Sequence, residues 1–286
     1  MNNLRVLHLG ETLSTNTFLA TYTPLSPSEV TLATADYQTA GRGQTGNTWE
    51  SERGKNLLFS LLVQPSALPS SHVFVLSEAI ALSIREAVRS VLADHLSLLS
   101  PHPSPDVTVK WPNDIYVGDC KIAGILIENQ FRGTRLDRCI IGCGVNVNQS
   151  SFAFASLPPA APHPVSEAAC SEAVPTPTSL LCLTSHDIDR RLVLDAIVNA
   201  FIPRYEAIQG AAPAALAAIH ADYLAALYRR QGFHPYRDAR GLFHAEIADV
   251  EPTGHLILRD TQGLLRRYAF KEVAYVRTTP EAYHPV

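Results

Sequence analysis

The sequence of 286 residues predicts a mixed α/β domain followed by a small β-barrel, and three observations support this fold class. Strand-like and helix-like patterns alternate through the first 150 residues, as they do in α/β domains. A stretch rich in Pro, Ala and Ser, residues 151–178, breaks the alternation and is interpreted as an inserted surface loop with no assigned role. From residue 234 onward, short alternating stretches separated by turn residues predict a separate β domain.

Hydrophobic patterning assigns the elements of the first domain. Strands are predicted at 30–36 and 56–63, and the polar, glycine-containing stretch 39–48 between them fits neither periodicity, which indicates a loop. Apolar residues recur at helical spacing over 73–92, which predicts a helix covering one face of the sheet. Further strands are predicted at 107–110, 115–117, 122–129 and 138–147.

Two helices and a β domain complete the predicted order of elements. The helices are expected at 189–209 and 213–228, because Asp189 suits an N-cap and Gly210 suits a helix end. We expect one domain over 1–230 and a second over 234–279. The strands of the second domain are predicted at 243–249, 255–259, 265–270 and 273–276.

Composition excludes several classes of protein. The chain has 23 Lys and Arg against 27 Asp and Glu, a formal net charge of −4, which argues against a generally basic nucleic-acid binder. No apolar run approaches the roughly 20 residues of a membrane helix, and the first residues lack the pattern of a signal peptide. A cytoplasmic protein without membrane or nucleic-acid partners is therefore expected. The five cysteines have no chelating spacing and are interpreted as free thiols.

Two polar segments near the N-terminus are candidates for a binding site. Ser14-Thr15-Asn16 fits a helix N-cap as well as a site. In the loop at 36–49, a glycine-rich backbone with Arg42 can converge on phosphate or carboxylate oxygens, and Trp49 can stack on a base. The loop is neither a Walker A motif nor followed by the helix of a dinucleotide fold. An ordinary surface loop remains the alternative.

Two further segments carry charges and glycines at strand ends. A strand ends in Lys110-Trp-Pro-Asn-Asp114, and the hairpin after it returns Lys121 toward the same place. The two lysines make a site for anionic substrates, with Asp114 available to guide an attacking amine or hold magnesium. A surface hairpin with solvated charges is the alternative. In the strand at 140–148, two glycines allow close approach, and two asparagines can read a base edge.

Together these segments resemble the biotin protein ligase family. Five motifs occur in the family's order: Ser-Thr-Asn; Gln-Thr-Ala-Gly-Arg-Gly with a following Trp; Lys-Trp-Pro-Asn-Asp; Lys-Ile-Ala-Gly; and Gly-x-Gly-Val-Asn-Val-Asn. The resemblance is strong from about Leu4 to Asn148, weakens through 151–178 and returns with the helices and the terminal β domain. It implies an α/β (α+β) catalytic domain of the biotin/lipoate ligase type, with a mixed sheet and flanking helices, and an SH3-like β-barrel over 234–279.

The resemblance also implies an activity. Biotin and ATP would be substrates, with Mg²⁺ as the expected metal, and would give biotinyl-5′-adenylate and pyrophosphate. Biotin would then pass to a lysine of a biotin carboxyl carrier domain of a biotin-dependent carboxylase. The resemblance is compatible with a homodimer.

Site residues carried over from the family fall into three groups. The catalytic group is Lys121, Arg42 and Asp114. The biotin-binding group is Ser14, Thr15, Asn16, Gln38, Gly41, Arg42, Gly43, Gln44, Lys121, Gly124 and Gly142. The nucleotide-binding group is Trp49, Lys110, Asn113, Val145 and Asn146.

The sequence departs from the family pattern in three places. It begins directly with the catalytic domain, without the winged helix-turn-helix of some bacterial members, so a monofunctional ligase without repressor activity is expected. Residues 151–178 are an apparent insertion, which we expect to be dispensable for chemistry. Gln44 and Thr45 stand where many members carry basic residues, and this predicts weaker closure over the adenylate.

Three other functions compete with this interpretation. A lipoate protein ligase or octanoyltransferase would share the catalytic fold, but the Gly-Arg-Gly loop with Trp49 and the Lys-Trp-Pro-Asn-Asp segment favour biotin. A non-catalytic binding module would have no need of Lys121 opposite Arg42. A DNA-binding regulator is disfavoured by the net charge of −4.

Overall fold

The computed structural model describes residues 4–44, 47–96, 105–133, 135–152 and 176–276. Most of the predicted surface loop at 151–178, together with Thr45 and Gly46, lies outside these ranges. The described chain forms a large mixed sheet with helices and a smaller C-terminal antiparallel sheet. Every predicted helix and strand is present in the described chain, and further elements lie between them.

The large sheet has eight strands in the order β1-β2-β3-β7-β6-β5-β4, with β8 paired to β6. Strands β1 and β2 are parallel, as are β6 and β8, and every other pairing is antiparallel. The strands are β1 (Leu4–Thr12), β2 (Val30–Gln38), β3 (Leu57–Val63), β4 (Val107–Lys110), β5 (Asp114–Val117), β6 (Cys120–Arg132), β7 (Arg135–Val145) and β8 (Thr176–Pro177).

Helices cover the large sheet on both faces, which explains why β3 is buried at every position. On one face α2 (Val75–Leu96) packs its apolar stripe into the main core, with Ile80 and Ile84 fully buried. On the other face α1 (Thr15–Thr21) places Leu19 against Leu62 in a smaller cluster. The remaining helices are α3 (Leu180–Thr184), α4 (Arg190–Gln209) and α5 (Pro213–Ala225). Among the described residues, no helix is both long and apolar enough to cross a membrane.

The C-terminal β region forms a five-stranded antiparallel sheet in the order β12-β11-β10-β9-β13. Its buried aromatic and aliphatic residues join the main core rather than forming a separate one. The C-terminal sheet therefore shares one hydrophobic core with the large sheet and its helices. The strands are β9 (His234–Asp238), β10 (Gly241–Val250), β11 (Leu256–Asp260), β12 (Leu265–Tyr268) and β13 (Ala274–Tyr275).

The patterning did not predict β1, α3, β8 or β9. Strand β1 lies at the edge of the sheet with residues that are only exposed or half-buried, so it lacks the apolar alternation of a buried strand. Helix α3 has only five residues. The interpretation of 151–178 as a loose surface loop is wrong at its end, because Thr176–Pro177 pairs with β6 and the backbone amide of Thr178 donates to the Lys121 carbonyl.

A histidine links helix α2 to the C-terminal sheet. His220 on α5 contacts Glu78 Oε1 of α2 at 2.8 Å through Nδ1 and Asp249 Oδ1 of β10 at 3.1 Å through Nε2. The hydrogen bond to Glu78 is the largest influence on the imidazole; despite opposing burial, the two carboxylates raise the pKa of His220 to about 9. The ring is therefore protonated at neutral pH and donates to both carboxylates.

This histidine predicts a pH dependence of stability. Because the folded-state pKa is raised from 6.5 to about 9, its contribution to folding is complete below pH 6.5 and is lost as the pH rises to about 9. The Tm difference between the wild type and His220→Gln should therefore shrink over this range. A difference that stays constant from pH 6.5 to 9 would contradict the assignment.

Candidate active site

A cavity of 720 Å³ lies where β6, β7, α1, the glycine-rich loop and β13 meet. It brings together residues far apart in the sequence, as the resemblance implied. All the predicted site residues line it except Gly41 and Val145. Those that do are Ser14, Thr15, Asn16, Gln38, Arg42, Gly43, Gln44, Trp49, Lys110, Asn113, Asp114, Lys121, Gly124, Gly142 and Asn146.

One end of the cavity is a neutral polar pocket at the start of α1. Ser14 caps the helix, its Oγ accepting from the Thr17 amide at 3.0 Å, so the capping interpretation is confirmed and the segment also lines the cavity. Gln38 Oε1 accepts from the backbone amide and hydroxyl of Thr15 at 2.7 and 3.0 Å. This contact orients the Gln38 amide nitrogen as a hydrogen-bond donor.

The amide of Asn16 is fixed by hydrogen bonds on both its oxygen and its nitrogen. Its Oδ1 accepts from Ser60 Oγ at 2.6 Å. Its Nδ2 donates to Glu128 Oε2 at 2.7 Å and to the Leu126 carbonyl at 3.3 Å. Because both amide hydrogens are engaged, Asn16 presents its oxygen as the remaining hydrogen-bonding atom.

Glu128 links the neutral pocket to the glycine-rich loop. The carboxylate oxygen that accepts from Asn16 also accepts from Arg42 Nη2 at 2.9 Å. Both partners of this ion pair are partly exposed, with 46% of the Arg42 side chain and 36% of the Glu128 side chain accessible. The ion pair places a guanidinium beside the polar pocket.

Three glycines form a flat floor across β6 and β7. A Cβ on Gly142 would lie 2.3 Å from Asn16 Oδ1, and a Cβ on Gly144 would lie 2.2 Å from Trp49 Cε2. A Cβ on Gly124 would lie 3.0 Å from Trp49 Cζ3. The sequence predicted that the glycines at 140–148 allow another group to approach the backbone closely. The groups that do so are the Asn16 side chain and the Trp49 indole.

Two charged residues of the cavity, Lys110 and Asp114, lie in one row across the sheet. Lys110 pairs with Asp114, Asp114 with Gly124, and Gly124 with Gly144 in the register of β4, β5, β6 and β7. Residues directly opposite each other on neighbouring strands present their side chains on the same face. The row therefore directs Lys110 and Asp114 over the glycine floor.

Lys121 and Asp114 form the closest ion pair of the cavity. Lys121 Nζ lies 2.7 Å from Asp114 Oδ1, with 24% and 17% of the two side chains exposed. The ammonium also lies 5.8 Å from the Trp49 ring centre, within cation–π range. The predicted return of Lys121 toward Asp114 is confirmed.

Lys110 is held between aromatic rings of both sheets. Its Nζ lies 3.2 Å from the Tyr116 hydroxyl and 5.2 Å from the ring centre of Tyr275. Strand β13 thus supplies part of the wall around a predicted nucleotide residue.

Two polar atoms of the cavity lining are buried without a hydrogen-bond partner among the described residues. They are the Trp49 indole nitrogen, a donor, and Gln44 Oε1, an acceptor. Buried polar groups usually have partners. Their position in the cavity lining therefore fits a site that completes its hydrogen bonds with a ligand.

Four predicted site residues have structural contacts that the sequence did not reveal. Val145 is fully buried in the core, so its side chain is not available to a ligand. Gly41 is covered by Trp49, whose backbone amide donates to its carbonyl at 3.0 Å. The side-chain amide nitrogens of Asn113 and Asn146 donate to the carbonyls of Ile125 and Thr178.

The sequence analysis missed several residues of the site. Ser60 could have been found, because it is the one polar residue in the apolar strand β3. Glu128 lies in a predicted strand and belongs to no motif, so there was no reason in the sequence to select it. No sequence pattern indicated that residues of the C-terminal sheet and its connections line the cavity. It consists of Phe270, Lys271, Val273, Ala274 and Tyr275.

The four cysteines of the described chain form no disulfide bond. Cys120, Cys139, Cys143 and Cys182 are free, and burial raises the pKa of the Cys139 and Cys143 thiols well above the usual value. Among the described residues, no three His, Cys, Asp or Glu side chains are grouped to hold a metal ion.

Comparison with known proteins decides the family. The model of the Biotin/lipoate A/B protein ligase family matches residues 10–146. The biotin–[acetyl-CoA-carboxylase] ligase of Paracoccus denitrificans is 30% identical over 89% of this chain and 94% of its own length. The chain belongs to the biotin protein ligase family.

Other members of the biotin protein ligase family agree with this assignment. The bifunctional ligase/repressor BirA of Bacillus spizizenii is 27% identical over 84% of this chain, which spans 65% of that protein's length. The solved biotin protein ligase from Aquifex aeolicus in complex with biotin and ATP superposes with a TM-score of 0.67 at 22% identity, covering 98% of this chain and all of its own. That likeness shows the shared fold.

Proposed function

We propose that this chain is an ATP-dependent biotin protein ligase. It adenylates biotin to biotinyl-5′-AMP and transfers biotin to a lysine of a biotin carboxyl carrier domain. The observation that carries the proposal is one cavity in which a neutral amide pocket adjoins the Lys110, Asp114 and Lys121 cluster. Family membership and the named activity of the Paracoccus relative support it.

The neutral pocket suits the ureido ring of biotin. That ring offers one carbonyl acceptor and two N–H donors. The Gln38 amide nitrogen is a donor for the carbonyl, and the fixed Asn16 oxygen is an acceptor for an N–H, as their contacts with Thr15 and Ser60 dictate. Backbone groups of Gly41 to Gln44 and the floor at Gly124 and Gly142 complete the biotin site.

Adenylation brings two anions together. A biotin carboxylate oxygen attacks the α-phosphorus of ATP, a P–O bond forms, and the bond to the departing pyrophosphate breaks. Lys121 and Arg42 offset the repulsion between carboxylate and phosphate, and this compensation is greatest as charge develops in the transition state.

Transfer uses the lysine of the carrier domain as nucleophile. Its neutral amine attacks the acyl carbon of the adenylate, an amide bond forms, and the bond to AMP breaks with loss of a proton from the amine. Asp114 lies next to Lys121 at 2.7 Å and is placed to orient that amine or accept its proton.

The nucleotide lies toward the C-terminal sheet in this proposal. Trp49 offers an aromatic face and an unpartnered N–H, and Lys110 offers a cation for the phosphates. Asn113 and Asn146 shape the wall. Mg²⁺ would arrive with ATP, bound by phosphate oxygens with Asp114 as the carboxylate ligand, and would neutralise phosphate charge.

We also propose the domain division and setting of this enzyme. Residues 1–230 form the catalytic domain, and 234–279 form an SH3-like domain that completes the nucleotide end of the cavity. The partner is a carrier domain of a biotin-dependent carboxylase in the cytoplasm, without a nucleic-acid or membrane partner, and a homodimer is compatible with this role.

The proposed function is tested by ATP–pyrophosphate exchange with a choice of acids. Purified protein, Mg²⁺ and ATP are incubated with biotin, lipoate or octanoate, and incorporation of labelled pyrophosphate into ATP is measured. Exchange should depend on biotin. Exchange with lipoate or octanoate but not with biotin would instead show a ligase of the related class.

Glu128→Gln is expected to weaken biotin binding. A glutamine oxygen carries no negative charge, so the hydrogen bonds that this position accepts from Asn16 and Arg42 lose their charge assistance. Each is worth about 1.5–3 kcal/mol, which predicts a rise in the biotin KM of about ten- to a hundredfold. Glu11→Gln, which breaks the exposed ion pair with Arg53 outside the cavity, is the matched control. Equal biotin KM values for the two variants would refute this role.

A further inference from the structure

The contacts between the two sheets reach the strand end that carries Lys110. The Trp111 indole nitrogen donates to the Gly254 carbonyl at 2.9 Å, and its ring meets Phe270 edge-on at 6.3 Å. Tyr275 lies 5.2 Å from Lys110 Nζ. The position of the C-terminal sheet thus fixes the surroundings of the residues that immediately precede Asn113 and Asp114.

His220 makes one of the polar contacts that hold this arrangement, alongside the Trp111–Gly254 hydrogen bond and the hydrogen bond from Arg230 to the Ile247 carbonyl. Glu78 of α2 is 3% exposed and needs a charged partner, which the imidazole supplies at 2.8 Å. The opposite ring nitrogen reaches Asp249 of β10 at 3.1 Å, where the carboxylate is 53% exposed. These two carboxylates are the charged groups that face the ring from the neighbouring described elements.

We propose that His220 is a positioning residue for the nucleotide. Anchored by Glu78, it holds Asp249 and keeps the C-terminal sheet docked, so that Tyr275 and Phe270 stay against Lys110 and Trp111. The inference rests on the proposed function, because it assigns the nucleotide to this end of the cavity. Protonation of the ring at neutral pH, with a pKa of about 9, supports simultaneous donation to both carboxylates.

The proposed biotin and nucleotide sites are built from different parts of the molecule. The side-chain hydrogen bonds of Thr15, Asn16 and Gln38 are made with the large sheet and with each other. The walls around Lys110 include Tyr275. Loosening the C-terminal sheet should therefore weaken ATP binding and leave biotin binding nearly unchanged.

Asp249→Ala tests the proposal without leaving Glu78 unpaired, since the His220–Glu78 contact remains. If the docked fraction falls to a third or a tenth, the ATP KM rises by about three- to tenfold, while the biotin KM stays within about twofold. Pyrophosphate exchange by the full chain measures both. Glu246→Ala is the matched control, because its carboxylate pairs with Arg259 at 3.1 Å inside the C-terminal sheet.

Tryptophan fluorescence provides a readout that does not require activity. The chain has two tryptophans, so Trp49→Phe leaves Trp111 as the only emitter. Asp249→Ala in this background should shift Trp111 emission to longer wavelength, because an undocked sheet exposes the indole to water. Raising the pH above 9 should produce the same shift when Asp249 is present, and a smaller one when it is alanine.

The outcomes distinguish this inference from the proposed function. A wild type without biotin-dependent exchange would refute the function, and the nucleotide role of His220 would fall with it. An active Asp249→Ala enzyme with unchanged ATP KM and unchanged Trp111 emission would overturn the inference alone. So would equal increases in the biotin and ATP KM values, because these would indicate general damage rather than positioning.

Discussion

Replacing Lys121 with alanine is expected to slow biotin adenylation by about 10²- to 10³-fold. The Lys121 ammonium lies beside Asp114 and offsets charge that is largest in the transition state, so the single-turnover rate should fall far more than the affinity for biotin or ATP. Rapid-quench measurement of biotinyl-5′-AMP formation at saturating substrates gives this rate directly.

Lys55→Ala is the control for this variant, because Lys55 is exposed and does not line the cavity. Its adenylation rate should match that of the wild type. A Lys121→Ala enzyme within a few-fold of the wild-type rate would show that Arg42 and Lys110 suffice without it.

Gly142→Ala is expected to weaken biotin binding strongly. The new Cβ would lie 2.3 Å from Asn16 Oδ1, and Asn16 is held by hydrogen bonds to Ser60 and Glu128, so it has little freedom to withdraw. Overpacking of this kind costs about 1–3 kcal/mol, which corresponds to a rise of about five- to 150-fold in the biotin Kd.

Gly10→Ala is the matched substitution outside the site. A Cβ at Gly10 meets no atom within 4 Å, so the biotin Kd should not change. Calorimetry of biotin binding compares the two variants, and circular dichroism confirms that both fold. Wild-type affinity in a folded Gly142→Ala protein would mean that Asn16 does not contact biotin.

The elements that the sequence predicted well are the buried ones. Strand β3 and helix α2 carry long apolar patterns, because both pack into the core, and their positions were predicted within a few residues. Strand β1 is an edge strand whose residues are all exposed or half-buried, and β8 has only two residues, which pair with Cys120 and Lys121. Such elements are stabilised by neighbours that are distant in sequence, so local patterns do not reveal them.

The candidate site was predictable where a motif was present. The segments with Ser14, Arg42, Lys110 and Lys121 were found because polar residues stood at strand ends and loops. Glu128 was missed because its partners, Asn16 and Arg42, are more than eighty residues away. The tertiary register of β5, β6 and β7, rather than any local pattern, brings such residues together.

The docking of the C-terminal sheet was also invisible in the sequence. His220 lies on a predicted helix, and a lone histidine there gives no indication of two carboxylate partners on α2 and β10. Only the packing of the two sheets shows that Tyr275 reaches Lys110.

The central claim is that this cavity activates biotin as an adenylate and then transfers it. The most direct measurement is a two-step single turnover. The protein is incubated with biotin, ATP and Mg²⁺, freed of unbound substrate, and mixed with a biotin carboxyl carrier domain. We expect bound biotinyl-5′-AMP before mixing and, afterwards, one acceptor lysine biotinylated for each AMP released. Absence of bound adenylate, or an adenylate that is never passed to the carrier domain, would contradict the account.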